Sequence, residues 1–532
     1  MTWFPLPETS AANQAAFSNA KSAAAWLALQ PQANAAVMLE SLVAQLAAFN
    51  VFALPPRERF KTLEVLRKVV FAVSGGCQRR FDNKPLPLSS AEQIFLDTTR
   101  RLWQACAVGY LHCLRACLER EERVSPDAAK IAHRAITSLR MEQLCCYLAG
   151  HEVDEKSWRN LHAVYAAGEA LDVLSVHVSD PLPRETAESS VNGQYGMALL
   201  LQLVNPYALT RSQFVAASRW LARWREQAII QLYPEIKAGA CCIALDLHGG
   251  GAVHDHALPA REVRWLVLDQ VLRKMRKRLE ALNAGESPEN LKLGNALSGT
   301  ACIALLETLM RQLRSPSLHQ RRQHESMETV EVVPGVDNLY RWLGGRNLNE
   351  PARFDSLAGR IKADQLAVFG HVVETKPAEK VCVESWLGAR SDTGLLDLHR
   401  EDIDNGARLM LRGMIGVRLA PQDKLSLAWI HRLSTRAGAA KMSATLIPGD
   451  VYPLVAELQE KATGRVTRQP ALRVTADDGA LQIVLPAGVT LRPANLRLLD
   501  ARDHACLGYS LDMLIERTPD VECWSASEAS PV

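Results

Sequence analysis

The hydrophobic periodicity of this chain changes near Arg321 and Arg322, and this change is the strongest constraint on its fold. Before the basic pair, apolar residues recur every three to four positions, which predicts helices. After it they alternate, as at Val330 and Val332, in short runs bounded by glycine, which predicts strands. The sequence therefore predicts an α+β multidomain protein with a large all-α N-terminal part followed by a β domain and a second small β unit.

The length supports several domains. At 532 residues, the chain has room for about three domains of roughly 150 residues each. We expect helical domains at 1–150 and 151–315, the second with repeat-like hairpins and a short strand near 241–247. We expect a β domain at 316–450, a small β domain at 451–520 and a loose tail at 521–532.

Some helices carry recognisable sequence signals. Ser89 and Glu92 form a capping-box pair, in which each side chain can accept from the other residue's backbone N–H. Trp158, Leu161 and Tyr165 have the spacing of the first helix of a tetratricopeptide repeat. The sequence has only one recognisable copy of this repeat pattern, so we interpret this block as a helical hairpin pair with repeat-like packing rather than a solenoid.

A strongly amphipathic stretch runs from Trp265 to Leu282. Its apolar residues recur at intervals of 3, 4, 3, 4 and 3, which predicts a helix of about five turns with one buried stripe. Its basic residues lie mainly off that stripe: Arg273, Lys274, Arg276, Lys277 and Arg278. We interpret them as a solvated helix face, with a surface for an acidic partner as the alternative.

Charge and cysteine usage narrow the functional class. The chain has 61 basic and 58 acidic residues, a balance that argues against a DNA- or RNA-binding protein. Its 12 cysteines lie partly inside apolar helical segments and form no CxxC pair, as expected in a reducing compartment. No apolar run approaches the ~20 residues of a membrane span. We expect a cytoplasmic protein without a membrane span.

Motifs for catalysis are weak. The His-Gly-Gly-Gly run at 248–251 resembles the oxyanion-hole loop of lipase-like hydrolases, but the chain has no G-x-S-x-G elbow to place a nucleophile. His248, His254 and His256 could crowd a metal, yet a glycine-rich turn with exposed histidines is the simpler interpretation. Walker, HExxH and GxGxxG motifs are absent. We therefore expect no enzyme activity, no cofactor and no metal site.

A polar turn from Ser391 to Gly394 separates two predicted strands, with Arg390 beside it. This turn resembles the second motif of PilZ domains, D/N-x-S-x-x-G, and the strands that follow fit the barrel order of that family. The resemblance implies that the β domain at 316–450 is a PilZ-like β-barrel. The helical front, the junction at Arg321 and Arg322 and the two β units are also similar, in that order, to large bacterial proteins with degenerate PilZ domains.

The PilZ resemblance implies a ligand and a role for each residue. Arg321 and Arg322 would clamp the phosphates and guanine of cyclic di-GMP, because a guanidinium pairs bidentately with phosphate and stacks on planar rings. Ser391 and Gly394 would form the receiving turn, and Arg390 could partly replace a missing arginine. The resemblance further implies a non-enzymatic regulator of surface attachment or type IV pili.

Two departures from the PilZ motifs leave a second hypothesis open. The first motif has a second arginine four positions after its first, where this chain has Glu325 after Arg321 or Ser326 after Arg322. Ala389 stands where the second motif begins with Asp or Asn. Loss of one bidentate arginine weakens binding by about ten- to a hundredfold. The alternative is a ligand-independent scaffold or adaptor that binds partner proteins through its helical domain.

Overall fold

The computed structural model describes the chain except for residues 1–3, 13–14, 32–33, 183–186, 234–240, 253–262, 315–326, 346–347, 349–380, 391–394, 403–405, 421, 462, 477, 492–493, 519 and 529–532. The chain divides into two compact units. The helical unit comprises Met1–Lys84 and Leu88–Arg322, and the β unit comprises Pro85–Pro87 and Gln323–Val532. The predicted α+β multidomain class is confirmed.

The helical unit has one large apolar core built from amphipathic helices. The long helix α4 packs against α2, α3 and α5 at its centre. The predicted capping box is present at its start: Ser89 N–H donates to the Glu92 carboxylate at 2.8 Å, and Glu92 N–H donates to Ser89 Oγ at 3.4 Å. The helices are α1 (Ala20–Ala28), α2 (Ala35–Val51), α3 (Pro56–Gln78), α4 (Ser90–Leu118), α5 (Ala128–Leu148), α6 (Glu155–Ala170), α7 (Val191–Leu203), α8 (Arg211–Trp224), α9 (Asp269–Asn283) and α10 (Gly299–Arg314).

Short strands interrupt the helical unit. They are β1 (Val178–Ser179), β2 (Glu188–Ser189), β3 (Ile229–Gln231), β4 (Cys242–Asp246) and β5 (Val263–Val267). Strand β4 lies within the region near 241–247 where a short strand was predicted, and β5 pairs with both β3 and β4. The predicted helix from Trp265 to Leu282 is therefore wrong at its start. Trp265 lies in β5, because pairing on both sides of that strand outweighs the helical spacing.

The β unit contains a closed barrel with the strand order β10-β11-β8-β7-β6-β9. Its strands are β6 (Glu328–Pro334), β7 (Glu384–Arg390), β8 (Leu396–Arg400), β9 (Met414–Arg418), β10 (Ser426–Arg436) and β11 (Ala439–Ile447). Helix α11 (Gly335–Trp342) follows β6 and includes Leu339, which the alternating pattern assigned to the β region. A Cβ on Gly416 of β9 would lie 2.3 Å from Leu339 Cδ2, so this glycine lets α11 pack closely on the barrel.

A seven-stranded sheet completes the β unit, in the order β16-β15-β12-β13-β14-β18-β17. Its strands are β12 (Asp450–Glu460), β13 (Val466–Thr475), β14 (Leu481–Pro486), β15 (Ala494–Asp500), β16 (Cys506–Leu507), β17 (Tyr509–Arg517) and β18 (Val521–Glu528). The predicted loose tail is wrong for residues 521–528. Val521 and Cys523 are buried, and Glu522 accepts the backbone N–H of Gly488 at 2.9 Å, which gives this polar segment a structural role.

Candidate ligand site

Arg390, a residue of the predicted ligand site, lies at one end of the barrel. Strand β6 begins there at Glu328, which pairs with Gly388, and β7 ends there at Arg390, which pairs with Leu396 of β8. We call this end, marked by those four residues, the Arg390 rim. Because all barrel neighbours are antiparallel, the chain that enters β6 and the connection from β7 to β8 meet at the same rim.

The structure describes one of the five predicted site residues. Arg390 is exposed at the end of β7. Arg321, Arg322, Ser391 and Gly394 lie outside the described residues. Ser391 and Gly394 belong to the five-residue connection from β7 to β8, and Arg322 precedes β6 by six positions. Six residues span at most about 20 Å when fully extended.

Two further cations lie towards the Arg390 rim, and each has a carboxylate partner. Arg418, at the end of β9, donates from Nε to Glu331 at 2.6 Å, and its guanidinium carbon lies 5.3 Å from the centre of the Trp342 ring. Lys424 bonds Asp450 at 2.8 Å. Within the described part of the chain, Arg390 makes no ion pair with a carboxylate. Two N–H groups on one edge of its guanidinium can therefore donate together to an anion.

The interior of the barrel is filled by side chains. A Cβ on Gly388 would lie 2.7 Å from Val330 Cγ2 and 2.8 Å from Leu398 Cδ2, so even one added methyl group would overlap its neighbours. The barrel is thus a packed core, in which a dinucleotide has no room. A ligand of that size must bind on the outside, at a rim.

The rim opposite Arg390 is closed by a buried ion pair. Glu384 forms an ion pair with Arg400 Nη1 at 2.7 Å, and it accepts hydrogen bonds from Trp386 Nε1 at 2.9 Å and from the backbone N–H of Ala407. The cavity beside this cluster measures about 10 Å³, which is room for about one water molecule. Sequence patterns did not reveal this cluster, because its members come from separate strands and a loop. Its carboxylate is already saturated, so its role is structural.

The glycine-rich loop at 248–251 also has a structural role. The carbonyl of Gly251 accepts from His162 Nε2 at 2.8 Å, which leaves His162 Nδ1 to accept from the Tyr195 hydroxyl at 2.6 Å. Burial lowers the pKa of His162 to about 4, which keeps the ring neutral. An oxyanion hole would require N–H donors, whereas this loop presents a carbonyl to the histidine.

The loop also needs the small size of glycine. A Cβ on Gly250 would lie 2.8 Å from the Cβ of Glu155, at the start of α6. We expect Gly250→Ala to lower the free energy of unfolding by about 1–2 kcal/mol, because the loop or the helix must shift. Gly299→Ala is the matched control, since a Cβ there meets open space. Urea unfolding followed by circular dichroism measures both, and equal stabilities would contradict the steric argument.

The structure describes one of the three histidines that the sequence analysis considered as metal ligands. His254 and His256 lie outside the described residues, and His248 is exposed. Among the residues that the structure describes, no group of three or more metal-binding side chains comes together.

A buried charge network holds α3, α5 and β1 together. Asp180 is 1% exposed; it accepts a hydrogen bond from Arg67 Nη1 at 2.8 Å and forms an ion pair with Arg134 Nη1 at 2.9 Å. Arg134 also bonds Glu64 at 3.2 Å and His133 Nδ1 at 3.2 Å. Burial opposes ionisation of Asp180, but the hydrogen bond and charge of Arg67, aided by Arg134, lower its pKa overall. We call these five residues the Asp180 network.

The comparisons with known proteins concern the helical unit. Residues 21–235 match the family described as cyclic-di-GMP receptor FimW, N-terminal domain. A curated protein of Pseudomonas aeruginosa, the cyclic-di-GMP receptor FimW, is 27% identical over 215 residues. The N-terminal part of this chain resembles FimW.

The resemblance to FimW covers 39% of this chain and 34% of the relative, so the chain spans about a third of the length of the curated relative it matches. No solved structure matches the chain. The FimW-like region contains the whole Asp180 network, and the predicted repeat-like helix with Trp158 and Tyr165 also lies inside it. Over the described residues, no helix is both long enough and apolar enough to cross a membrane.

Proposed function

We propose that this protein is a non-enzymatic cytoplasmic regulator that binds cyclic di-GMP at the Arg390 rim of a PilZ-like barrel. The main support is topological: the chain from the basic pair enters the barrel beside Gly388, at the rim where Arg390 and the connection to β8 lie. The resemblance of residues 21–235 to a protein named as a cyclic-di-GMP receptor is independent support.

The proposed chemistry uses arginine as a planar donor. Arg321 and Arg322 clamp the phosphates and stack on guanine, since a guanidinium matches phosphate oxygens in pairs. Ser391 and Gly394 form a small polar turn that receives the ligand backbone closely. Arg390, exposed at the end of β7, supplies a further donor from the barrel itself. The filled barrel interior directs the ligand to this outer surface.

The proposed output is a change in conformational population. A ligand that contacts both the basic pair and the barrel stabilises arrangements in which they are close, and only such differential binding shifts an equilibrium. We propose that the shifted population acts in surface attachment or type IV pilus control, through protein partners of the helical unit.

Calorimetric titration with cyclic di-GMP tests the site. We expect binding by the native protein, loss of detectable heat in the Arg321→Ala, Arg322→Ala double variant, and about ten- to hundredfold weaker binding in Arg390→Ala, since each change removes charge-assisted hydrogen bonds. Arg436→Ala is the matched control, because Arg436 is exposed at the opposite rim. Absence of heat from the native protein at roughly 100 µM ligand would refute the proposal.

A ligand-independent scaffold is the alternative function. It is favoured by the departures from the PilZ motifs at Glu325 and Ala389 and by the basic surface of α9, where Arg273, Arg276 and Lys277 are exposed. Under this alternative, the Arg321→Ala, Arg322→Ala variant retains full partner capture, and cyclic di-GMP does not change it. A ligand-dependent change in capture that this variant loses would favour the receptor.

A further inference from the structure

A cationic cleft with an aromatic floor lies within the helical unit, between α8, α9 and the segment that follows α9. Its volume is about 180 Å³, somewhat larger than the ~150 Å³ cavity that holds benzene. The floor is made by Trp220 and Trp224, both buried, beside Leu291. Four cations line it: Arg223, Lys274, Arg278 and Lys292. No carboxylate is among the described residues that line this cleft.

The four cations have no carboxylate partner elsewhere in the described part of the chain. Lys274 and Lys292 are exposed at the mouth, where they are solvated. Arg278 is oriented: its guanidinium carbon lies 5.5 Å from the centre of the Trp224 ring, and its Nη1 donates to the Lys274 carbonyl at 3.3 Å. A guanidinium carries five N–H donors, so this one keeps donors for a ligand. Unpaired like charges repel one another, and an anion in the cleft relieves that repulsion.

A buried acceptor adds a second chemical requirement. The side-chain oxygen of Gln227 lines the cleft and is buried, and no hydrogen-bond donor reaches it among the described residues. A buried acceptor left unpaired is costly, so a ligand that brings an N–H group here gains more than an apolar ligand would. Trp220 cannot be the donor to Gln227, because its Nε1 already donates to the Leu293 carbonyl at 2.9 Å.

We propose that this cleft binds a small phosphorylated molecule with one planar nitrogen ring, of the nucleotide class. Its phosphate contacts Lys274, Lys292 and the oriented Arg278. Its ring packs on the guanidinium plane of Arg278, which lies over Trp224, since stacking on aromatic and guanidinium planes is the usual recognition of a base, and a ring N–H donates to Gln227. This goes beyond the proposed cyclic di-GMP site, because it uses none of the residues of the Arg390 rim.

Calorimetric titration of the full chain with GMP, AMP and inorganic phosphate tests the cleft. We expect at least one nucleotide to bind with a submillimolar dissociation constant, and more tightly than inorganic phosphate. Lys274→Glu should weaken binding by about tenfold or more, because it places a carboxylate at the phosphate position. Lys277→Glu is the matched control: it makes the same charge change on an exposed residue of α9 outside the cleft lining.

Three results would overturn this assignment. One is no heat from either nucleotide at about 5 mM, well above the affinity expected for a built site. Another is equal weakening by Lys274→Glu and Lys277→Glu, which would indicate attraction by net charge alone. The third is equal affinity for inorganic phosphate and nucleotide, which would exclude a ring contact. The Arg321→Ala, Arg322→Ala variant tests separately whether the cleft is independent of the barrel rim. Retention of nucleotide binding by this variant supports two separate sites, and loss of nucleotide binding in it would show that they are not separate.

Discussion

Asp180→Ala is expected to lower the free energy of unfolding of the helical unit by about 3–5 kcal/mol, because it leaves two buried arginines without their carboxylate. Arg67 and Arg134 are 7% and 4% exposed, so water cannot replace the lost partner. Both bond the same carboxylate, with Arg134 at 2.9 Å and Arg67 at 2.8 Å. The mutation removes all these bonds at once, whereas the arginines keep their charge.

The matched control for Asp180→Ala is Glu169→Ala, which removes a comparable ion pair in the same unit. Glu169 bonds Arg264 at 2.7 Å, but its side chain is 39% exposed, so solvent screens the pair. We expect a cost below about 1 kcal/mol there. Urea unfolding followed by circular dichroism measures both variants. A loss for Asp180→Ala no larger than that for Glu169→Ala would show that the network does not stabilise the unit.

The importance of Asp180 was not predictable from the sequence. It lies in a segment rich in serine, proline and acidic residues, which reads as an ordinary surface loop. Its partner Arg67 is 113 positions earlier, and only the packed fold brings them together. The capping box of α4, in contrast, was predictable from the sequence. Ser89 and Glu92 are three positions apart and interact within one turn, so the pattern predicts the contact.

The same distinction applies to the candidate ligand site. The change of hydrophobic period and the glycine-bounded runs predicted the strands of the barrel, because each strand's alternation is local. Closure of the barrel depends instead on which strands pair, and the local pattern does not show this. In the structure, Glu328 at the start of β6 pairs with Gly388. The pairing of Arg418 with Glu331, 87 positions apart, could likewise not be predicted from the sequence. Arg390 as a ligand-binding residue stays a prediction from the sequence, and the structure adds that the nearby cation Arg418 is paired with Glu331.

Lowering the pH from 7 to 5 is expected to reduce the free energy of unfolding by roughly 3–6 kcal/mol, through buried histidines of the helical unit. Burial, with the charge of Arg134, lowers the pKa of His133 to about 3. Burial, with the charge of Arg59, lowers the pKa of His112 to about 4. Burial lowers the pKa of His162 to about 4.

The direction follows from proton binding in each state. An unfolded histidine titrates near pH 6.5, so between about pH 6.5 and 4 the unfolded chain binds protons that the native unit does not. Stability therefore falls as pH falls through this window. The lowered pKa values of Asp180 and Glu64 act in the same direction, but only below the ordinary carboxyl range near pH 4.

Hydrogen bonds give His133 and His162 a specific reason to stay neutral. His133 Nδ1 accepts from Arg134 at 3.2 Å, and its Nε2 lies 2.7 Å from the Ser189 hydroxyl. A second ring proton would break the bond to Arg134 and set two cations against each other. His162 Nδ1 would likewise lose the hydroxyl proton of Tyr195. Protonation therefore removes an acceptor as well as adding a buried charge.

Urea unfolding at pH 7 and pH 5, with native protein and His162→Phe, separates this mechanism from general acid sensitivity. Phe cannot bind the proton, so the loss of stability between the two pH values should shrink by about 2 kcal/mol in the variant, whatever its stability at pH 7. An unchanged difference would mean that His162 is protonated alike in the folded and unfolded states. The difference between the pH values isolates the proton, because the lost bonds to Gly251 and Tyr195 lower the stability of the variant at both.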